Sequence, residues 1–202
     1  MTESAAQLLI LSAPSGAGKT SLARALVEQL ANTVMSISHT TRERRDGEKE
    51  GLDYYFVDDD KFAKMVESGG FLEHAEVYSY RYGTGKQAVQ KQLERGNNVL
   101  LDIDWQGGQQ IRSVLPDVLS VSILPPSVEE LEQRLRSRAQ DSEETIQRRM
   151  SLALAEMRHC YEADFIVLND DFESALDDLK KILQSQPEQI RPLMIDLQAL
   201  LK

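Results

Sequence analysis

An apolar run, residues 7–12, leads directly into Ala13-Pro14-Ser15-Gly16-Ala17-Gly18-Lys19-Thr20, and beyond it Leu22, Leu26 and Leu30 recur at helical spacing. A short buried strand, a glycine-rich turn and an amphipathic helix, in that order, make the strand–loop–helix context of a Walker A phosphate loop. Successive backbone N–H groups in such a turn form a concave anion site. The helix N-terminus behind it adds the positive end of its dipole. Gly16 and Gly18 let the backbone approach phosphate oxygens with no Cβ between. Lys19 is placed for the β- and γ-phosphates of a nucleotide, and the Thr20 hydroxyl for Mg²⁺. Ala13 stands where such loops usually carry their first glycine. At negative φ the substitution is harmless; at positive φ it costs about 1 kcal/mol or more.

The 202 residues include 23 Lys and Arg against 33 Asp and Glu, a formal charge of −10. That balance argues against general binding to nucleic acid or to an anionic membrane surface. Any anionic substrate must be met by a local basic cluster, and the arginines are clustered: Arg42, Arg44 and Arg45, then Arg134, Arg136, Arg138, Arg148 and Arg149. Cys160 is the one cysteine, so no internal disulfide forms and a reducing cytoplasm is the expected setting. The apolar residues 8–11 are too few to span a bilayer and have no basic leader. His39, His74 and His159 lack metal-ligand spacing.

Strand patterns at 7–12, 34–37, 99–104, 118–124 and 165–168 alternate with helix patterns at 19–30, 86–95, after Trp105, after Ser127 and at 172–183. Ser127 and Glu130 have capping-box spacing. This rhythm predicts an α/β fold, a parallel sheet flanked by helices, with ligands at the carboxyl ends of its strands. Residues 38–86 interrupt it with strand-like pieces at 54–57 and 71–77 and a helical pattern at Phe62, Met65 and Val66, so they read as an inserted subdomain. After Pro187 a last helix is expected over 187–202. Its apolar stripe of Ile190, Leu193, Met194, Leu197, Leu200 and Leu201 suits either the chain's own core or a homo-oligomer contact.

The inserted segment reads Thr40-Thr41-Arg42-x-x-Arg45-x-x-Glu48-x-x-Gly51-x-x-Tyr54-x-Phe56-Val57. Beside it stand the phosphate loop, Phe71-Leu72-Glu73, Tyr82-Gly83-Thr84, Leu101-Asp102-Ile103-Asp104 and Asn169-Asp170-Asp171. Together these resemble the guanylate kinase family, P-loop enzymes that phosphorylate GMP with ATP, over residues 7–184. The resemblance implies one domain, 1–202, with a P-loop NTPase-type core (1–37 and 87–184), a GMP-binding subdomain (38–86) and a helical lid (134–149). It also implies ATP and GMP, with dGMP, as substrates, and Mg²⁺ as the metal.

Residue by residue, it implies that Arg42, Arg45, Tyr54 and Tyr82 hold the GMP phosphate, a task for which paired guanidinium forks are suited. Ser38, Glu73 and Thr84 fall where the family reads the guanine. For Glu73 there is an independent reason: guanine N1–H and N2–H₂ are adjacent donors, and a carboxylate offers two adjacent acceptors. Asp102 and Asp104, two apart on one strand, would leave the same face and line the space between GMP and the metal. Arg134, Arg138 and Arg149 match the lid residues that close on ATP, and Asn169 matches a residue near the adenine. Ser137 and Ala139 replace glycines usual in that lid. Two other readings stay open: a non-catalytic binding module of the same fold, and a nucleoside-monophosphate kinase for another base.

Overall fold

The computed structural model describes residues 6–77, 79–137 and 143–201. The chain first makes β1 (Leu8–Ser12), α1 (Lys19–Gln29) and β2 (Thr33–Met35). It then builds β3 (Ser38–Thr40), β4 (Tyr55–Phe56), α2 (Asp59–Glu67), β5 (Phe71–Val77) and β6 (Tyr80–Gly85). Helix–strand alternation resumes with α3 (Lys86–Glu94), β7 (Asn98–Asp102), α4 (Trp105–Val114), β8 (Leu119–Leu124), α5 (Val128–Ser137), α6 (Glu143–Met157), β9 (Phe165–Leu168) and α7 (Phe172–Leu183). A single turn, α8 (Leu197–Leu200), ends the described chain.

Five strands form the expected parallel sheet, in the order β2-β7-β1-β8-β9. β1 is central because both of its faces are apolar. The pleat turns Leu9 and Leu11 into a cluster with Leu22 and Leu26 of α1 and Leu176 and Leu179 of α7. It turns Ile10 the other way, onto Val89 of α3 and Ile111 of α4. Burial on both faces is what a parallel sheet requires. From β1 the chain runs first to one side of the sheet and later to the other, so a switch point, where ligands bind, falls at the carboxyl end of β1.

Residues 38–85 form a second sheet, β4-β3-β6-β5, antiparallel except for the β3–β4 pair. Helix α2 backs it, with Phe62 fully buried and its ring 4.7 Å from that of Phe71. Residue 36 marks the crossing between sheets: Ser36 N–H still bonds Leu100 C=O of β7, and Ser38 already pairs with Thr84 of β6. The strand expected at 34–37 therefore ends at Met35, and residues 36–37 make the crossing.

Two other expectations are corrected. The strand expected at 99–104 ends at Asp102, and Asp104 is instead the N-cap of α4, its side chain accepting the Gly107 N–H. A short carboxylate at the start of a helix satisfies a donor that has no intrahelical partner. The helix expected over 187–202 does not form as one. Pro187–Gln189 is a 3₁₀ turn and regular α-helix returns only at α8. Pro192 explains the break, since it lacks an N–H and its ring clashes with a helical backbone. The freed segment is tied down by Arg191, which donates from Nε to Asp178 at 2.7 Å, from Nη1 to Asp170 at 3.1 Å and from Nη2 to the Leu168 carbonyl at 3.1 Å. The stripe is split accordingly: Ile190 packs beside α7, Leu197 and Leu201 pack with Leu200 in the α6 cluster, and Met194 is 82% exposed.

Asp178 is nearly buried and also accepts the Arg191 N–H. Replacing it with Ala leaves the Arg191 Nε–H and backbone N–H without their acceptor, and should lower stability by about 2 kcal/mol. Urea unfolding of Asp178→Ala checks this, with nucleotide binding expected to be unchanged.

Candidate active site

At the carboxyl end of β1 the chain turns through the phosphate loop. Gly16 and Gly18 take φ of +96° and +94°. Among the described residues, positive φ outside glycine occurs at Asn32, Ser79 and Ser185, so Ala13 is unstrained where a glycine is usual. A Cβ on Gly16 would lie 2.9 Å from Leu131 of α5, and one on Gly18 2.4 Å from the Asn169 amide. The loop therefore rests on packed neighbours from beneath. Asn169 donates to the Ala17 carbonyl at 2.7 Å and is only 5% exposed. Its amide nitrogen supports the loop in this structure.

Lys19 Nζ lies 2.8 Å from Asp102 Oδ1 and donates to the Ile103 carbonyl at 2.8 Å. Thr20 Oγ1 donates to the other Asp102 oxygen at 3.0 Å. The pairing of Leu11 with Asp102 across β1 and β7 makes this possible. Asp104 joins the same cleft from the start of α4. Hydroxyl and carboxylate oxygens beside a phosphate site are the hard donors that Mg²⁺ prefers. No group of three or more His, Cys, Asp or Glu among the described residues is disposed to hold a metal.

The second sheet supplies the opposite wall. Its register aligns Ser38 with Thr84 and Thr84 with Glu73, and in the next row Thr40 with Tyr82 and Tyr82 with Ala75. Residues two apart share a face, so Ser38, Glu73, Ala75, Val77 and Tyr82 all line the cleft, together with Tyr54. Glu73 is 4% exposed and accepts from the Thr84 hydroxyl at 2.5 Å. Burial raises its pKa from 4.5 to about 7, the Thr84 bond opposing this and the Asp104 charge adding to it. Burial likewise raises the Tyr54 hydroxyl, with the Asp102 charge adding to it.

Arg42 is 8% exposed, donates to Glu48 Oε1 at 2.6 Å and to the Glu43 carbonyl at 2.8 Å, and lies 5.4 Å over the Tyr54 ring. Burial opposes its charge, but the hydrogen bonds of Glu48 and Tyr82 outweigh that and raise its pKa. Glu48 accepts the Arg45 N–H with its other oxygen at 2.8 Å, so one carboxylate shapes the whole turn. Arg45 itself is exposed.

On the far side, Arg149 of α6 donates to Ser15 Oγ at 2.6 Å. Arg134 of α5 donates to Glu130 and, at 3.0 Å, to the carbonyl of Asn169, the residue whose amide braces the loop. Arg136 bridges α5 and α6 through Glu132 and Glu143, which hold its pKa well up. Arg138 and Ala139 lie outside the described residues. Glu156 of α6, not singled out from the sequence, also lines the cleft; burial raises its pKa, opposed by the Lys19 charge.

The result is one cleft of about 320 Å³, with the phosphate loop, Lys19, Thr20, Asp102 and Asp104 on one side and Ser38, Tyr54, Glu73 and Tyr82 on the other. Arg42, Thr84 and Asn169 are buried and are not among the residues that line it. Glu48 belongs to the signature segment but was given no role there, and Gly107 was not singled out at all. The three-residue spacing from Arg45 to Glu48 was a usable signal for the first, but nothing local marks the second.

A phosphate loop at the switch point of a parallel sheet, faced across one cleft by the second sheet, defines a P-loop nucleotide-binding protein. A family model for guanylate kinase matches residues 5–186. The guanylate kinases of Coxiella burnetii (strain RSA 493 / Nine Mile phase I) and Escherichia coli (strain K12) are each 52% identical over 181 residues. The matches cover 90% of this chain and 88% of the relative in the first case, 89% and 87% in the second. The crystal structure of guanylate kinase from Anaplasma phagocytophilum superposes with a TM-score of 0.76 at 37% identity, covering 95% of this chain and 90% of that one. The chain belongs to the guanylate kinase family.

Between pH 4.5 and about 7 the folded protein holds the Glu73 proton and the unfolded chain does not. Stability should therefore fall as pH rises through that window, by roughly 3 kcal/mol from this group. Glu73→Gln should remove that share, measured by urea unfolding of both proteins at pH 5 and pH 8.

Proposed function

We propose that this protein transfers the γ-phosphoryl group of ATP to GMP, and to dGMP, giving ADP and the nucleoside diphosphate. The observation that carries this is the shared cleft: a buried carboxylate with two adjacent acceptors faces a phosphate loop across one cavity. Adenine presents a lone pair at N1 and would oppose that carboxylate, and mispaired polar groups in a closed site reject a wrong ligand by about 10⁴-fold.

In this reading ATP lies along residues 13–20, with Asn169 bracing the loop. GMP lies against the second sheet, its base on Ser38, Glu73 and Thr84 and its phosphate on Arg42, Arg45, Tyr54 and Tyr82. The segment 38–86 is then the GMP-binding subdomain and 134–149 the lid. Bound between Thr20, Asp102 and the nucleotide phosphates, Mg²⁺ would neutralise charge on the transferring group. A GMP phosphate oxygen attacks the γ-phosphorus in line, and the bond to the β,γ-bridging oxygen breaks toward ADP. The attacking oxygen is already largely anionic at neutral pH, the second pKa of a phosphate monoester being about 6, so no strong base is called for. Lys19 leaves Asp102 for the phosphates, while Arg134, Arg138 and Arg149 gather on the charge that spreads over the γ-phosphoryl oxygens. Closure keeps water, a competing acceptor, away. Asp104 lines the gap between the two substrates. The lone, buried Cys160 suits a reducing cytoplasm.

ADP formation with ATP and Mg²⁺, offering GMP, AMP, UMP and CMP separately, tests the reading. Turnover with GMP alone is expected; turnover with AMP or UMP in its place would overturn the base assignment. Arg42→Ala should raise KM for GMP by about tenfold or more and leave KM for ATP within twofold. Arg149→Ala should lower kcat more than it changes either KM.

A further inference from the structure

Glu73 is held by more than its own sheet. Its second oxygen, Oε2, rests on the backbone of Gly107 in the first turn of α4, where a Cβ would lie 2.6 Å from that oxygen and 3.1 Å from the carboxyl carbon. One turn further along α4, Gln110 grips the residue that follows Glu73. Its amide donates to the His74 carbonyl at 2.8 Å, and its carbonyl oxygen accepts the His74 N–H at 3.1 Å. Gly107 and Gln110 are three apart and so share one face of the helix. β5 is an edge strand of the second sheet, and the Gln110 amide pairs with the open edge as a further strand would.

α4 packs on the core sheet, Ile111 lying with Ile10 and Leu101. Its N-cap is Asp104, two residues beyond the Asp102 that holds Lys19. The same short stretch of chain therefore sets the phosphate-loop wall and the seat of Glu73.

We propose that Gly107 and Gln110 are positioning residues for base selection: α4 fixes the Glu73 carboxylate at the height where its two oxygens meet the adjacent N–H donors of a guanine. This rests on the guanine reading given above. Gly107 acts by having no side chain, which lets Oε2 settle against the helix backbone; Gln110 acts by locking the register of β5 against the core. A methyl group at 107 must displace the carboxylate, because it would meet the functional atoms themselves. Misplacement of a reacting or recognising group by about 1 Å costs up to about 100-fold.

The test compares the unaltered protein with Gly107→Ala, Gln110→Ala, Glu73→Asp and the double variant Gly107→Ala/Glu73→Asp, each with GMP and with IMP, which lacks the exocyclic amino group. Gly107→Ala should raise KM for GMP about tenfold or more with KM for ATP within twofold, and pull the GMP-to-IMP ratio of kcat/KM toward one. Gln110→Ala should shift the same quantities in the same direction by about three- to fivefold. In the double variant the shorter carboxylate retreats from the added methyl group, so its loss should be smaller than the product of the two single losses. Unchanged GMP-to-IMP ratios in both Gly107→Ala and Gln110→Ala, equal rises of KM for ATP and GMP, or multiplicative losses in the double variant would each overturn the proposal. If Gly107→Ala does not fold, as judged by thermal unfolding, the Gln110→Ala ratios decide it. Failure of the unaltered protein to use GMP would instead overturn the guanine reading on which the proposal rests.

Discussion

One oxygen of Asp102 meets Lys19 at 2.8 Å and the other takes the Thr20 hydroxyl at 3.0 Å, and much of the molecule is arranged so that they meet. The contact needs β1 and β7 to be parallel neighbours, with Leu11 opposite Asp102. That needs apolar side chains on both faces of β1, and hence helices on both sides of the sheet. An ammonium held by a carboxylate is kept folded over the loop and close to where phosphate oxygens would arrive. The loop itself is braced from below by the Asn169 amide and by Leu131 and Leu135 against Gly16. A phosphate site on such a support pays little reorganisation energy when its ligand arrives.

The arginines follow a related logic. In a chain of charge −10, three of the arginines that the proposed reaction would use already have partners: Arg42 has Glu48, Arg134 has Glu130 and the Asn169 carbonyl, and Arg149 has Ser15. A guanidinium ordered beforehand loses less side-chain entropy on meeting a phosphate than a free one. Binding then becomes an exchange of partners within a formed site. Lys19 would make the same kind of exchange, from Asp102 to phosphate. The cost of this economy shows at Glu73, whose burial beside Asp104 raises its pKa to about 7 and leaves a carboxylate that gains most when adjacent donors reach it.

Where the sequence misled, a local rule had been extended past its range. The alternation Leu101-Asp102-Ile103-Asp104 is a strand pattern, yet Asp104 caps a helix, because a carboxylate beside unpaired N–H groups is worth more there than one further ladder bond. The apolar spacing after residue 190 is helical, yet Pro192 forbids the helix and Arg191 secures the extended path that replaces it. Asn169 was legible as a site residue from its motif, but its contact with Ala17 depends on β9 lying next to β8, one strand away from β1.

By itself the sequence determined whatever is local in the chain: the strand, loop and helix around Lys19, the parallel alternation that follows from two-faced apolar strands, and the motif residues through which the chain resembles its family. These are set within a few residues by backbone freedom, side-chain period and hydrogen-bonding capacity. Only the tertiary structure decided which distant groups share an atom's width of space. It put Asp102 on Lys19 from 83 residues away, aligned Ser38, Thr84 and Glu73 in one row across three strands, and left room above Gly107 for a carboxylate. The physical reason is that strand register and helix docking are fixed by the packing of whole faces against one another, and a glycine's missing side chain carries meaning only once the atom that fills its place is known.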